Sequence, residues 1–394
     1  MWWSSMAVAA TLRVGAGQPY ATIQDAVDVA APGDVVEVHA GVYAEAVRVT
    51  LDLEIVGVGS PVLQALPRPS IPLTIAGADV TVRDLVVQGD SSNPCISADS
   101  FGRPRVVLDG LDVSGCRVGV DVDGTARVTI RRSTFTDDGW AVHAAAGTAL
   151  TVRTSSFQGN GVAVWTEDAD VQLVANRIEA NGVGAWYPAA GPAVQIDPPT
   201  GNGVLLFGNR VCANPAGGAM VYDVPYARAS RVVVSNNLFQ ENGGPMVWEG
   251  GGLWAEGTGY GFDLVLTQNA FIGNEAATGS QLYASAAVQA IVTSTLFAYG
   301  RGGVALYESP FSGDVVGSYD AFFDNQPSTL SAQIPPADLA QGSLIGDPLF
   351  TSLSLDGDCT NDDLTPLPGS PLIDAGDPAD IDPDGTRADI GWIW

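Results

Sequence analysis

Asn176-Arg177-Ile178-Glu179-Ala180-Asn181-Gly182 is the stretch whose reading decides the fold. It has close kin in Ser155-Ser156-Phe157-Gln158-Gly159-Asn160-Gly161, Asn237-Leu238-Phe239-Gln240-Glu241-Asn242-Gly243 and Asn269-Ala270-Phe271-Ile272-Gly273-Asn274. Each has a bulky apolar residue two positions after a polar one and three before Asn. Outward from these, the bulky residue recurs at Val87, Val113, Phe135, Phe157, Ile178, Val211, Phe239, Phe271, Phe297 and Phe322, spaced 26, 22, 22, 21, 33, 28, 32, 26 and 25 residues apart. Helical repeats need roughly 33–47 residues and helix formers. Here β-branched and aromatic residues alternate in short runs such as Val118-Gly119-Val120-Asp121-Val122, the signature of strands. A minimum period of 21 to 22 residues suits one coil of a parallel β-solenoid, and longer periods are the same coil with a loop inserted. A coil buries its anchor only by stacking on its neighbours.

Asparagine keeps a register of its own. Asn176, Asn209, Asn237 and Asn269 stand two before the anchor, in a column completed by Ser133, Ser155, Thr295 and Asp320. Asp138, Asn160, Asn181, Asn214, Asn242, Asn274 and Asn325 stand three after it. Asn tolerates left-handed backbone and bonds local amides, so both columns suit the bends between strands and read as structural. Near the front, Ile23, Ala26, Val27 and Ala30 fall at helical spacing and Pro32-Gly33 ends the run. A short amphipathic helix there would cap the open end of the solenoid.

Two segments resemble a known family. Tyr20-Ala21-Thr22-Ile23-Gln24-Asp25-Ala26 with Pro32-Gly33-Asp34-Val35-Val36-Glu37-Val38-His39-Ala40-Gly41-Val42-Tyr43 resembles the cap and first coil of secreted right-handed parallel β-helix proteins of the pectate-lyase-like superfamily. Gly346-Asp347-Pro348-Leu349-Phe350, Pro368-Gly369-Ser370-Pro371-Leu372-Ile373-Asp374-Ala375-Gly376-Asp377-Pro378 and Ala388-Asp389-Ile390-Gly391 are similar to the closing segment of bacterial surface β-helix proteins. The resemblance implies an all-β fold: a single right-handed parallel β-helix of about 10–12 coils, with a short N-terminal capping helix and an irregular acidic C-terminal tail. Residues 1–10 then read as the remnant of an export signal or a ragged end, 11–45 as cap and first coil, 46–326 as coils and 327–394 as the closing segment. The superfamily holds lyases, hydrolases, esterases, epimerases and adhesins, so the fold does not choose an activity.

Composition narrows the partners. The chain of 394 residues carries 44 acids against 17 bases, all of them arginine, for a net charge of −27. That balance repels nucleic acid and anionic membranes, and chemistry that needs a lysine is excluded. No run of 18 apolar residues exists to span a bilayer. No CxxC occurs and the two histidines are isolated, so a Cys/His zinc site is not expected. Cys95 and Cys116 occupy near-equivalent places in adjacent coils, within disulfide reach in an oxidising compartment. The pairing of Cys212 and Cys359 stays open. An extracellular or cell-surface location and a monomeric state are expected.

Aligning coils on the strand after the Asn-Gly bend puts His143, Trp165, Trp186, Tyr222, Trp248, Tyr283 and Tyr307 in one outward slot, with Trp254 in an insert beside it. A strip of rings on an outer face can stack on successive sugars of a polysaccharide. It can equally be a structural stack within the sheet or a protein interface. Asp223, Glu249 and Glu308 each follow a ring by one residue and are the candidate carboxylates for glycan cleavage, which needs two; the alternative is a solvated acidic rim. No Asp cluster near the inserts resembles a lyase calcium site. In the tail, Asp380-Ile381-Asp382-Pro383-Asp384-Gly385 matches the first half of an EF-hand-like loop without its closing Glu, with Asp377 or Asp389 as substitutes, which makes structural calcium an expectation. Asp356-Gly357-Asp358 is a second candidate. The sequence thus points to a bacterial exported protein that binds, and with those carboxylates can cleave, a polysaccharide; the competing reading is a non-catalytic surface or adhesive protein.

Overall fold

A computed structural model describes residues 9–67, 69–100, 102–182, 191–199, 203–223, 231–257, 261–285, 287–310 and 314–392, with backbone alone at Ser100 and Asp223. The chain forms two compact units, Met1–Thr151 and Val152–Trp394. Each is a right-handed parallel β-solenoid, and between them they carry about 12 turns.

In unit 1 every coil contributes one strand to each of three parallel sheets. Arg105–Asp109, Asp112–Ser114 and Val118–Gly124 are the three strands of one coil, and each pairs in parallel with its counterpart in the next. The interior is filled by like residues in file: Leu63 pairs with Val87, Val87 with Val113, and Val113 with Phe135, all buried. The front helix, α1, spans Ile23–Val29. Thr22 caps it by accepting from the Asp25 backbone N–H at 3.1 Å, satisfying one of the donors every helix start leaves open. The Glu45 carboxylate accepts from the amides of Ile23 and Gln24. Its apolar face, Ile23, Ala26 and Val27, is buried. Cys95 and Cys116 form a disulfide with Cα atoms 5.6 Å apart.

Unit 2 repeats the plan with stronger stacks. Phe239, Phe271, Phe297 and Phe322 lie face to face in the second sheet, with ring centroids 4.8, 5.2 and 5.7 Å apart. Both asparagine columns are buried ladders. Asn176, Asn209, Asn237 and Asn269 donate Nδ2 to the next Oδ1 at 3.0, 2.9 and 3.1 Å. Asn160, Asn181, Asn214, Asn242 and Asn274 do so at 2.9, 3.2, 2.8 and 3.0 Å. Each Oδ1 also accepts the backbone N–H of the preceding Asn in its column, so one side chain satisfies the bend of the coil beneath it.

The tail lies along the outer face of the second sheet. There Leu238, Ala270, Ile272, Leu296, Ala298 and Ala321 make one buried apolar cluster with Leu364, Leu372 and Ile390. Tail strands Phe350–Ser352 and Asp363–Pro366 pair antiparallel, and a disulfide between Cys359 and Cys212 ties the segment to its coil.

Candidate glycan-binding face

The site is built on the third sheet of unit 2, from strands Val162–Thr166, Val194–Ile196, Ala219–Asp223, Leu253–Gly257, Leu282–Ala284 and Leu306–Glu308. Alternation sends Val164, Val194, Ala219, Leu253, Leu282 and Leu306 into the core and turns the next residue outward. Backbone pairing fixes the outward file as Trp165, Gln195, Met220, Trp254, Tyr283 and Tyr307. Every member is half-buried. Tyr283 and Tyr307 stack 5.1 Å apart and 10° from parallel, whereas Trp254 meets Tyr283 edge-on at 6.4 Å.

This file differs from the sequence reading in three places. Tyr222 pairs with Glu256, one outward position further along the strand. Trp248 is not in the strand: it stands on the preceding bend, 79% exposed, and Trp254 fills its slot. The Trp186 position lies outside the described residues, and Gln195 fills the slot of that coil. The physical reason is common to all three. Counting from the Asn-Gly bend assumes a constant distance to the strand, but Trp165 follows Asn160 by five residues and Trp254 follows Asn242 by twelve. Only interstrand hydrogen bonding sets register. His143 is outward as expected but belongs to unit 1, where its Nδ1 is 2.7 Å from Asp121 Oδ1.

The bend before Trp254 is held by the backbone. Gly244 donates to Glu275 O, Gly250 donates to Thr278 O, and Ala277 donates to Val247 O. It presents Met246, 86% exposed, and Trp248 to solvent. Gly250 closes it at φ +58°, where an added Cβ would stand 2.5 Å from Trp254 Cβ. Gly279, at φ +61°, bears the same relation to Tyr283. Glycine there lets the chain fold onto the base of each ring.

The candidate carboxylates separate. Glu249 lies on the bend and pairs with Thr278. Asp223 pairs with Gly257 through its backbone, and its side chain lies outside the described residues. Glu308 pairs with Ala284 and continues the inward file of Ala255 and Ala284, so it is buried rather than on an outer rim. Its Oε2 accepts the Val315 N–H at 3.1 Å, and burial pushes its carboxyl up. The partner that the structure gives Glu249 is one missed in the sequence, Glu256, outward beside Trp254. Burial raises the Glu256 carboxyl, Glu249 raises it further, and the nearby Trp254 indole opposes this, although the buried indole N–H has no well-aligned acceptor. The Tyr283 phenol is pushed up to about 12, first by burial and then by Glu249, Tyr307 and Glu256. At neutral pH it stays a hydrogen-bond donor. Alternation would have located Glu256 had the strand been registered on Leu253 rather than on Val247.

The tail aspartates serve their own turns. Asp377 accepts from the Ala379 amide, Asp384 from the Thr386 amide and hydroxyl, and Asp389 from the Asp374 amide. Asp382 faces Asp384, whose hydrogen bond raises it, and Asp380 is exposed. Among the described residues no three Asp, Glu, His or Cys side chains stand together to hold a metal ion.

Comparisons place the fold among known proteins. The family described as right handed beta helix region matches residues 73–224. No curated protein matches the sequence. Tailspike protein 3 of bacteriophage CBA120 is similar in structure with a TM-score of 0.47 at 15% identity, over 84% of this chain and 56% of the tailspike; the chain thus spans little more than half of that protein's length. The A-module of the mannuronan C-5 epimerase AlgE4 of Azotobacter vinelandii has a TM-score of 0.47 at 17% identity, over 82% of this chain and 95% of the module. Pectate lyase Pel9A has a TM-score of 0.45 at 12% identity, over 98% and 97%. By its own strand register the chain folds as a right-handed parallel β-helix, and the family match over residues 73–224 agrees with that fold.

Proposed function

We propose that unit 2 binds a polysaccharide along the file Trp165–Gln195–Met220–Trp254–Tyr283–Tyr307, with Trp248 as an exposed ring beside it. The observation that carries this is the file itself: side chains that are aromatic or apolar in every coil but that of Gln195, each partly open, repeat outward once per coil. Adjacent strands lie about 4.8 Å apart, so Met220, Trp254, Tyr283 and Tyr307 form a continuous run of apolar and aromatic side chains, and such strips on a folded surface mark binding sites. Flat sugar faces stack on rings while their hydroxyls donate to the Glu249 and Glu256 carboxylates. Those two carboxylates are the pair to test for cleavage, Glu256 as the candidate acid because burial and Glu249 raise it above an ordinary glutamate. Two disulfides support a place outside the reducing cytoplasm.

A glycan array with the wild type, Trp165→Ala and Trp254→Ala tests the binding reading. Retention of one polysaccharide class by the wild type, with about tenfold loss in either variant, is expected. Absence of binding to every glycan removes it. Cleavage is followed as release of reducing ends, which Glu256→Gln should abolish.

A second reading has its own support. The parallel stack of Tyr283 on Tyr307 is the geometry of a ladder that stabilises the sheet, as in a non-catalytic surface or adhesive protein. It predicts that Tyr307→Ala lowers stability while leaving every glycan interaction untouched.

A further inference from the structure

We infer that this strip takes an uncharged glycan and rejects a carboxylated one, with Glu249 and Glu256 as the residues that decide; the inference rests on the polysaccharide reading. Every titratable side chain of unit 2 that the described residues place on or beside the strip is an acid: Glu249, Glu256 and the phenols of Tyr222, Tyr283 and Tyr307. Glu249 and Glu256 each act electrostatically on Tyr283, and Glu249 on Glu256, so the two carboxylates share one part of the strip.

The described cations of unit 2 are elsewhere. Arg177 and Arg210 flank Glu179 on the second sheet. Arg153 and Arg231 are on the first sheet, the latter opposite Asp263. Arg301 pairs with Asp324, and Arg387 stands over Tyr319 in the tail. The chain has no lysine to substitute for them. A sugar hydroxyl can donate to either carboxylate, whereas a uronate at the same place meets like charge with no described cation to pair it. At contact distances on a protein surface this repulsion is worth about tenfold or more in affinity. The overall charge of −27 repels polyanions at long range as well, but salt screens that part within roughly 4–5 Å at about 0.5 M. Selectivity that survives high salt is therefore the local contribution.

The test uses pairs of probes that differ only in charge. A soluble β-glucan, a galactomannan and a starch-type α-glucan are each set against the same chain carboxylated by oxidation of its C6 hydroxyls. Binding to the full-length protein is measured by affinity electrophoresis and calorimetry at about 0.1 and 0.5 M salt. At least one neutral chain should bind, and its carboxylated partner should bind about tenfold more weakly at the higher salt. In the Glu249→Gln/Glu256→Gln double variant, with folding checked by its melting curve, the gap should narrow to about threefold or less. A carboxylated chain that binds as well as its neutral parent, or alone, overturns this inference and leaves the polysaccharide reading standing. An unchanged gap in the double variant overturns the assignment to these two residues. No binding by either member of any pair overturns both.

Discussion

The third sheet of unit 1 and the third sheet of unit 2 have the same interior and opposite exteriors. Inside, Ile96, Val120 and Val142 in one and Val194, Ala219 and Leu253 in the other are fully buried aliphatics. Outside, unit 1 presents Arg48, Thr74, Ser97, Asp121 and His143 in register, whereas unit 2 presents Trp165, Gln195, Met220, Trp254, Tyr283 and Tyr307. A solenoid demands apolar residues only where coils stack, so the outward positions are free to carry function. The second sheets repeat the lesson. In unit 1 their outward residues are mixed, apolar at Val42, Val62 and Val86 and polar at Asp112, Ser114, Thr134 and Thr136. In unit 2 they turn apolar at Leu238, Ile272 and Leu296, where the tail covers them.

The comparison can be broken or sharpened by measurement. The largest effect belongs to the shared interior. Phe271 is fully buried between two stacked rings, so Phe271→Ala should lower the unfolding free energy of unit 2 by about 3–5 kcal/mol. A loss below about 1 kcal/mol in urea titration would mean that the stack does not carry the coil.

The two disulfides come next. Cys212–Cys359 spans 147 residues and Cys95–Cys116 spans 21. In the chain-entropy view each stabilises by about 2–4 kcal/mol, and the longer loop by about 1–2 kcal/mol more. Cys359→Ser should also free the apolar cluster under the tail, read as dye binding and as proteolysis after residue 346, while Cys95→Ser should not. Equal responses would erase the distinction between a staple inside unit 1 and a latch on unit 2.

A smaller effect concerns the aspartates that stand in for asparagine. Asp320 occupies the column of Asn269, accepts the Thr295 N–H at 2.9 Å, and is pushed up to about 8 by burial. The folded state keeps this proton where the unfolded chain has lost it. Stability is therefore full below the unfolded value near 3.8 and declines as pH rises toward about 8. Asp320→Asn should raise the neutral-pH melting temperature by a few degrees, corresponding to about 1–2 kcal/mol, and flatten its pH dependence. Asp138 in unit 1 is raised to about 8 for the same first reason, and Asp138→Asn should behave alike. A variant less stable than wild type at pH 8 would refute the amide-like role.

The smallest expected change is the one that tests function. Trp254→Ala should weaken glycan retention about tenfold, near 1.4 kcal/mol, while Asp121→Ala on the polar face of unit 1 should leave it within about twofold. Equal losses would place recognition outside the strip.

How much was legible follows from which distances are constant along the chain. The anchors and both asparagine columns could be read directly, because the polar residue stands two before the anchor in every coil from Phe157 to Phe322, and Asn stands three after it in each of them except that of Phe297, where Gly300 takes the place. No insertion falls between them, since both ends are tied into buried ladders. The ring file was legible in kind but misregistered at Tyr222 and Trp248, because insertions of variable length separate the bend from the third strand. Glu256 was missed for that reason, and Glu308 was taken for a rim residue when its strand turns it inward.

The amino-acid sequence by itself determined a parallel solenoid with its interior files, its capping helix and its acid-rich, lysine-free surface. Those follow from period, alternation and charge, which are local or additive properties. Tertiary structure alone decided which outward side chains share a file, that Glu249 and Glu256 act on one phenol, and that the tail lies along the second sheet of unit 2. Those depend on interstrand hydrogen bonds and packing between residues as far apart as Cys212 and Cys359, where spacing along the chain carries no information about position in space.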